Sequence, residues 1–381
     1  MRLGVNTLFM IPGEVGGSEI YLRQTLIAIC DNFPHVHLVL FTNRENDNVL
    51  RKDLSACTHV DFELLGFKAS NRYLRIIREQ IELPIRSRRY GIDVLWSPGY
   101  TAPLFSHCSQ VVNILDMQYK NHPDDLTFMA RFSTHLLVSA AARQCDGIIA
   151  LSEFSMSEIE KYTSAKKNKI EIVNGGVSQE FGESMPEAKR QKVLAALELN
   201  EWPYILTVGN TYPHKNSHVL IDAFHKIMNR IEHKLILVGQ PHLGEKMVLK
   251  AVEAVPDKKR IIRLSGISRQ QLIALYQGAD IFVFPSLYEG FGLPILEAMM
   301  AGTPVVTTNM GSIPEVGSDK VIYALTPDAQ TIAACILDVF GWNRNRRSQW
   351  IKAAKEWAAI FTWEETAKKT IEFIKQFHQL N

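Results

Sequence analysis

The sequence lacks several patterns that mark metal-dependent, membrane-spanning or dinucleotide-binding proteins. No D-x-D pair occurs in its 381 residues, although many transferases hold a divalent metal with such a pair. The adjacent acids Asp124 and Asp125 lie in a predicted loop, where solvation is expected. No window has the ~18 consecutive apolar residues of a membrane span, and the N-terminus has no signal-peptide cleavage site. The G-x-G-x-x-G fingerprint is also missing, which disfavours a nicotinamide oxidoreductase.

Cysteine and net charge are equally scarce. The five cysteines are scattered, with no pair at metal-ligand spacing: Cys30, Cys57, Cys108, Cys145 and Cys335. They are expected to be free, mostly buried thiols in a reducing compartment, which predicts a cytoplasmic protein. The net charge is +2, with 46% hydrophobic and 22% charged residues. This composition is typical of a soluble globular protein and implies no nucleic-acid partner.

What the chain does have is a regular alternation of short apolar runs and helical patterns. The runs predict strands at 2–9, 36–42, 60–65, 92–96, 111–115, 147–151, 169–173, 204–208, 235–238, 261–264, 281–284 and 303–308. Such alternation predicts an α/β protein with parallel sheets wrapped by helices. We expect an N-terminal domain at 1–180, a charged linker at 181–202, a C-terminal domain at 203–362, and a last helix at 363–381 that returns to the first domain.

The most informative stretch is 280–302. A buried strand ends at Pro285, Pro294 suits a first helical residue, and Gly302 suits a helix end. Between them, two glycines allow close approach of a ligand, and the start of the helix offers N–H groups to an anion. Glu289 in the loop and Glu297 in the expected first turn can accept hydrogen bonds from hydroxyls. Phosphate and hydroxyls together indicate a nucleotide-sugar, although an ordinary strand-to-helix turn is the simpler alternative.

The segment E-G-F-G-L-P-I-L-E-A, followed by A-G-T-P-V-V, closely resembles the acidic motif of family 4 retaining glycosyltransferases. The two acids stand eight positions apart, as in that family. The segments G-G-x-E near the N-terminus and 311–315 resemble further family segments. The resemblance implies the GT-B fold, with two Rossmann-like domains whose parallel sheets face each other across a cleft.

The resemblance also implies roles for individual residues. Glu289 would bind the transferred sugar, Glu297 the ribose, and Lys215 the leaving diphosphate. The backbone around the donor would be supplied by Gly16, Gly17, Gly209, Asn210, Ile267, Gly290, Phe291, Gly292 and Leu293. Asp116 ends a predicted strand and would face the ligand, although a helix cap is its alternative role.

The chain departs from the family at two positions. Leu115 stands where the family has a histidine that commonly touches the donor sugar, so Asp116 or Gln118 would have to replace that contact. Asn210 stands where an arginine usually joins the lysine, so the helix that begins near Leu293 should carry more of the phosphate charge.

A basic run from Lys68 to Arg89 predicts an amphipathic helix. Leu74, Ile77 and Ile81 share one face, which leaves a cationic outer face that includes Arg72, Arg75 and Arg78. This face is either simply solvated or docks on an anionic membrane or a pyrophosphate-linked acceptor.

By resemblance, the chain is expected to be a metal-independent, retaining hexosyltransferase without a cofactor. Mannose from GDP-mannose is the favoured donor, UDP-hexoses are next, and the acceptor is a glycan or a lipid-linked glycan at the inner face of the plasma membrane. A non-catalytic sugar-nucleotide-binding protein remains the alternative. Hydrolysis is disfavoured, because the paired carboxylates of a retaining glycosidase lie ~5 Å apart, whereas Glu289 and Glu297 have separate ligands to hold.

Overall fold

The computed structural model describes residues 1–123, 128–199 and 202–378, with no side-chain description at Phe128. The chain divides into two compact units, Met1–Gly176 with Thr362–Asn381, and Val177–Phe361. Asp124 and Asp125 lie outside the described residues. Among the helices that the structure describes, none combines the length and the apolar character needed to cross a membrane.

The first unit is built on a seven-stranded parallel sheet with the strand order β3-β2-β1-β4-β5-β6-β7. Its strands are β1 (Arg2–Asn6), β2 (His37–Thr42), β3 (Val60–Leu64), β4 (Val94–Ser97), β5 (Ser109–Asn113), β6 (Gly147–Ala150) and β7 (Ile170–Ile172). Its helices are α1 (Gly17–Asn32), α2 (Asp47–Asp53), α3 (Arg72–Ile77), α4 (Leu83–Arg89), α5 (Gln118–Asn121), α6 (Phe128–Gln144) and α7 (Glu153–Tyr162). The last helix, α16 (Trp363–His378), also belongs to this unit, where Thr366 Oγ1 donates to the Asn174 carbonyl at 2.8 Å.

The second unit has a six-stranded parallel sheet with the order β10-β9-β8-β11-β12-β13. Its strands are β8 (Tyr204–Val208), β9 (Lys234–Val238), β10 (Ile261–Leu264), β11 (Ile281–Phe284), β12 (Val305–Thr308) and β13 (Ile322–Ala324). Its helices are α8 (Glu187–Ala195), α9 (Ser217–Ile227), α10 (Glu245–Ala254), α11 (Arg269–Gly278), α12 (Leu293–Ala301), α13 (Ile313–Gly317), α14 (Ala329–Phe340) and α15 (Arg344–Ala358). Its core residues are mostly aliphatic and include Ile205, Leu220, Phe224, Val283 and Val306.

The predicted linker at 181–202 is part of the second unit. Phe181 and Leu194 are 1% and 4% exposed, so this charged segment buries its few apolar side chains. The Gln277 amide of α11 donates to the carbonyls of Phe181 at 2.9 Å and Glu183 at 2.7 Å. The unit boundary accordingly falls at 176/177 and not at 180.

The prediction of five free cysteines is wrong for one pair. Cys30 at the end of α1 and Cys57 before β3 form a disulfide, with Cα atoms 5.6 Å apart. Their separation of 27 residues along the chain gave no sign of the contact. Cys108, Cys145 and Cys335 are free, and burial raises the pKa of the Cys145 thiol to about 12. The argument from free thiols to a reducing compartment therefore no longer holds.

The predicted amphipathic helix also differs from the structure. It is divided into α3, a π turn at Arg78–Glu82 and α4. Ile77 and Ile81, which were expected to face inward, are 54% and 61% exposed. Arg75 is turned inward instead, and burial lowers the pKa of its guanidinium. The predicted inward face is confirmed for Leu74, which packs against the core of the first unit, and is wrong for Ile77 and Ile81.

Candidate functional site

The second sheet brings two loops together at the point where its strand order reverses. β8 and β11 are hydrogen-bonded neighbours, although three helices and two strands separate them along the chain. Loops that follow the carboxyl ends of parallel strands form the ligand crevice at such a point. The loop after β8 contains Lys215, and the loop after β11 contains Glu289.

Lys215 and Glu289 form an ion pair across these two loops. The Lys215 Nζ atom lies 2.6 Å from Glu289 Oε1, and the two side chains are 21% and 11% exposed. The same ammonium lies 5.6 Å from the centre of the Phe284 ring, at the end of β11. Each charge therefore has an opposite partner and remains within reach of a ligand.

The loop after β11 is fixed by hydroxyl groups that the sequence analysis did not select. Ser312 Oγ lies 2.9 Å from the carbonyl oxygens of both Glu289 and Phe291. Ser286 Oγ lies 3.1 Å from the Tyr288 carbonyl, and the Leu287 N–H donates to the His214 carbonyl at 2.7 Å. The last contact joins the two loops directly. Ser312 was detectable only as part of the family-like segment 311–315.

The start of α12 is open to an anion. Gly292 is the N-cap with φ +112°, a conformation that favours glycine, and no side chain caps this end among the described residues. Leu293 is the first helical residue, so Pro294 is the second and not the first as predicted. The helix dipole favours negative charge at this end, which lies next to the Glu289 loop.

The loop after β8 is held close to the neighbouring strand. The Asn210 side-chain oxygen accepts from the Gln240 N–H at 2.9 Å. A Cβ atom at Gly239 would meet the Gly209 carbonyl oxygen at 2.1 Å, so glycine is required for this approach. Asn210 thus stabilises the loop after β8, whereas the family places a cation at this position.

Glu297 lies deeper than the sequence predicted. It is the fifth residue of α12, beyond the first turn, and is 6% exposed. Burial raises the pKa of its carboxyl group, and the Tyr276 hydroxyl donates to Oε2 at 2.9 Å. Burial and the neighbouring carboxylate raise the pKa of Tyr276 well above its usual value. Sequence reasoning missed Tyr276 because it comes from α11.

Ile267 lies between β10 and α11 and is half-buried. Ser268, the next residue, accepts from the Gln271 N–H at 3.2 Å in a capping box at the start of α11. The structure therefore places Ile267 at the entrance of α11, the helix that carries Tyr276.

The first unit contains the other predicted site residues. Gly16 caps α1 with φ +58° and Gly17 begins the helix, and a Cβ atom at either glycine would meet open space. Glu19 accepts from the Gly13 N–H at 2.7 Å and from Arg23 Nη1 at 2.8 Å. The glycine loop before α1 is thus hydrogen-bonded to Glu19 in the first turn of α1.

Asp116 follows β5 and is half-buried. It accepts from the Tyr100 hydroxyl at 2.8 Å and from the Gln118 N–H at 3.0 Å. The second contact, from the residue two positions on, is typical of an Asx turn; the N-cap of α5 is Met117, and no side chain among the described residues caps that end. Leu115 is 4% exposed, and its carbonyl accepts from Ser155 Oγ at 2.8 Å.

The described residues bring together one set of metal-ligating side chains, Cys30, Cys57 and His59 in the first unit. The two sulfur atoms are bonded to each other, so they are not available as thiolate ligands. This set shares no residue with the ion pair at the β8–β11 edge.

Comparison with known proteins identifies the family. Residues 189–357 match the family model described as glycosyl transferases group 1. The O-antigen chain mannosyltransferase B of Escherichia coli is 32% identical over 259 residues, which cover 67% of this chain and 66% of that protein. The chain belongs to the group 1 glycosyl transferases.

The family match covers most of the second unit, including the ion pair and α12. Another relative, the serotype-specific mannosyltransferase WbdA of Escherichia coli, is 30% identical over 237 residues, 61% of this chain and 29% of that protein. The chain therefore spans just under two thirds of the first relative and less than a third of the second.

A solved structure confirms the predicted fold class. HepE of Anabaena, in complex with UDP-glucose, matches with a TM-score of 0.77 over 99% of this chain and 100% of that chain, at 18% identity. The two parallel-sheet units of this group 1 glycosyl transferase are those of the GT-B fold.

Proposed function

We propose that the protein is a retaining hexosyltransferase that moves a sugar from a nucleotide diphosphate donor to a glycan or lipid-linked glycan. The observation that carries this proposal is the Lys215–Glu289 pair, 2.6 Å apart and next to the uncapped start of α12. A cation and a helix N-terminus suit a diphosphate, and an adjacent carboxylate suits sugar hydroxyls.

The donor would lie along the loop after β11 and the start of α12. In this pose the diphosphate oxygens accept hydrogen bonds from the backbone N–H groups near Gly292 and Leu293 and from the ammonium of Lys215. The hexose hydroxyls donate hydrogen bonds to Glu289. The ribose hydroxyls donate to Oε1 of Glu297, since Oε2 already accepts from the Tyr276 hydroxyl. Gly209 and Asn210 line the phosphate side, and the Ile267 backbone borders the base.

In the proposed reaction, the bond between the anomeric carbon and the diphosphate oxygen breaks as a bond to the acceptor oxygen forms on the same face. The leaving phosphate takes the acceptor proton, so no protein nucleophile is required. Lys215 and the helix N-terminus stabilise the charge that develops on the leaving group. These two groups also support metal independence, because they supply the positive charge that a cation would otherwise provide.

Mannose from GDP-mannose is the proposed donor, and its support is the similarity to the O-antigen chain mannosyltransferase B. UDP-hexoses are the alternative.

A lipid-linked acceptor and a cytoplasmic nucleotide-sugar pool would place the protein at the inner face of the plasma membrane. By the same family resemblance, Asp116 is proposed as a catalytic residue, and Gly16 and Gly17 as donor-binding residues. No cofactor is proposed beyond the donor substrate.

A donor panel tests the proposal. GDP-mannose, UDP-glucose, UDP-galactose and GDP-fucose are each incubated with the protein and a crude lipid-linked acceptor, and the released nucleotide is measured. We expect GDP release from GDP-mannose that depends on the acceptor. Acceptor-dependent release of UDP alone would contradict the mannose assignment and leave the transferase assignment intact.

A non-catalytic sugar-nucleotide-binding protein is the second candidate. Its support is the pair of departures from the family, the buried Leu115 and the loop-bound Asn210. Binding of a sugar nucleotide without transfer or donor hydrolysis for any donor in the panel would favour it.

A further inference from the structure

The outer face of α3, the π turn and α4 is apolar. Tyr73, Ile77, Ile81 and Ile85 are 80%, 54%, 61% and 50% exposed. We call these four residues the apolar ridge. Scattered exposed apolar side chains are ordinary, but a continuous row indicates an interaction surface.

The π turn keeps the four residues of the apolar ridge on one line. They are spaced by four, and a regular α-helix has 3.6 residues per turn, so such a row would drift around the helix. The π turn at Arg78–Glu82 has i→i+5 hydrogen bonds and more residues per turn. It therefore offsets the drift between Ile77 and Ile81, and the row continues into α4.

A second apolar row lies on the neighbouring helix α6. Met129, Phe132 and Leu136 are 70%, 54% and 54% exposed and follow helical spacing. The two helices are tied together by Arg72, whose Nη2 donates to the Ala130 carbonyl at 3.1 Å and to Ser133 Oγ at 2.8 Å. Arg72 therefore joins α3, where the apolar ridge begins, to α6, which carries the second apolar row.

The two acids between Arg72 and Arg89 have hydrogen-bond or ion-pair partners within the fold. Glu79 is 4% exposed and accepts from Asn6 Nδ2 at 2.8 Å and from Thr101 Oγ1 at 2.9 Å. Glu82 pairs with Arg78 and Arg86, and α6 contains no acidic residue.

Basic residues border the apolar ridge. Lys68 lies before α3, and Arg88 and Arg89 lie at the end of α4, and all three are exposed. Apolar side chains with a basic border fit the interface of an anionic bilayer, where apolar groups insert and bases meet the headgroups. A second copy of this surface fits less well, because the two basic borders would face each other.

We propose that the apolar ridge inserts into the interface of an anionic lipid bilayer, with Lys68, Arg88 and Arg89 on the headgroups. This revises the predicted role of Arg72, Arg75 and Arg78: Arg72 ties α3 to α6, Arg75 is turned inward, and Arg78 pairs with Glu82. The proposal does not depend on the sugar donor or on catalysis.

Vesicle sedimentation tests the apolar part of the proposal. The full chain is mixed with vesicles of 70% phosphatidylcholine and 30% phosphatidylglycerol at low salt. The triple variant Tyr73→Ser, Ile77→Ser, Ile81→Ser should bind at least 10-fold more weakly. Its control is Leu243→Ser, Leu325→Ser, Ile360→Ser in the second unit, where the side chains are 61%, 77% and 63% exposed. The control should bind like the wild type.

The basic border is tested separately. Replacing Lys68, Arg88 and Arg89 by Ser should weaken binding roughly 100-fold, since each base near such a surface contributes about fivefold. Binding to vesicles of pure phosphatidylcholine should be weak for every protein.

Wild-type binding to neither vesicle, or equal binding by the ridge variant and the control variant, would overturn the proposal. A wild-type dimer in light scattering that the ridge variant abolishes, without vesicle binding, would instead assign the surface to a second copy. Circular dichroism of each variant before and after heating checks that all of them fold.

Discussion

Opposite changes in nucleotide affinity are expected when the two members of the Lys215–Glu289 pair are removed one at a time. In the free protein the ammonium is held by the carboxylate at 2.6 Å. A diphosphate must share or take over that ammonium while it approaches a second anion. Glu289→Gln removes both the competitor and the repulsion, so GDP should bind more tightly.

The expected size of the change in GDP affinity follows from how exposed Lys215 and Glu289 are. Both side chains are more buried than a surface pair, at 21% and 11% exposed, so their coupling should reach the upper end of the surface range, about 1 kcal/mol. Glu289→Gln should therefore tighten GDP binding about fivefold. Lys215→Met loses a charge-assisted hydrogen bond of about 2 kcal/mol and leaves Glu289 unpaired beside the diphosphate. The lost hydrogen bond alone should lower GDP affinity roughly 30-fold, and the unpaired carboxylate should lower it further.

Isothermal titration calorimetry with free GDP on both variants makes the comparison, with UDP as a second ligand. Lys250→Met is the matched control, because Lys250 is an exposed lysine of α10 in the same unit. A loss of GDP affinity in Glu289→Gln as large as that in Lys215→Met would refute the reasoning, since the carboxylate would then support phosphate binding.

Three further predictions concern Glu297, metal ions and the disulfide. Glu297→Gln should raise the donor KM about 10-fold with little change in kcat, because the ribose is unchanged during transfer; a fall in kcat alone in steady-state assays would contradict this. Activity should persist in excess EDTA, and a strict need for added Mg²⁺ or Mn²⁺ would exclude charge stabilisation by Lys215 and α12 alone. Under oxidising conditions, Cys30→Ser should lower the free energy of unfolding by about 3.5 kcal/mol, from the 27-residue separation; urea denaturation that matches the wild type would show that the bond does not form in solution.

Most of the fold could be predicted because strands of parallel sheets are buried on both faces and appear as short apolar runs. β11 was predicted with its observed bounds, Ile281–Phe284. β13 was missed because Ile322–Ala324 is only three residues long and two of them are half-buried. The π turn was missed because the spacing of apolar residues indicates a helix but does not distinguish i→i+5 from i→i+4 hydrogen bonds.

The candidate site was predictable where it lies on one loop and less so where distant segments meet. The segment from Glu289 to Leu293 was identified as a unit from its glycines and its helix start. The Lys215–Glu289 contact depends on β8 and β11 being neighbours, which strand patterns do not specify. Glu297 accepts a hydrogen bond from Tyr276 of another helix, and the spacing of residues along α12 could not predict that contact.

The most direct test of the account is sugar transfer by the wild type and by Glu289→Gln. Both proteins are incubated with GDP-[¹⁴C]mannose and a lipid-linked acceptor, and label in the acceptor is counted at equal protein concentration. The account predicts labelled acceptor from the wild type and a rate at least roughly 10²-fold lower from Glu289→Gln, a typical loss for an electrostatic contact in the transition state. Transfer by Glu289→Gln at the wild-type rate would contradict the proposed role of this carboxylate.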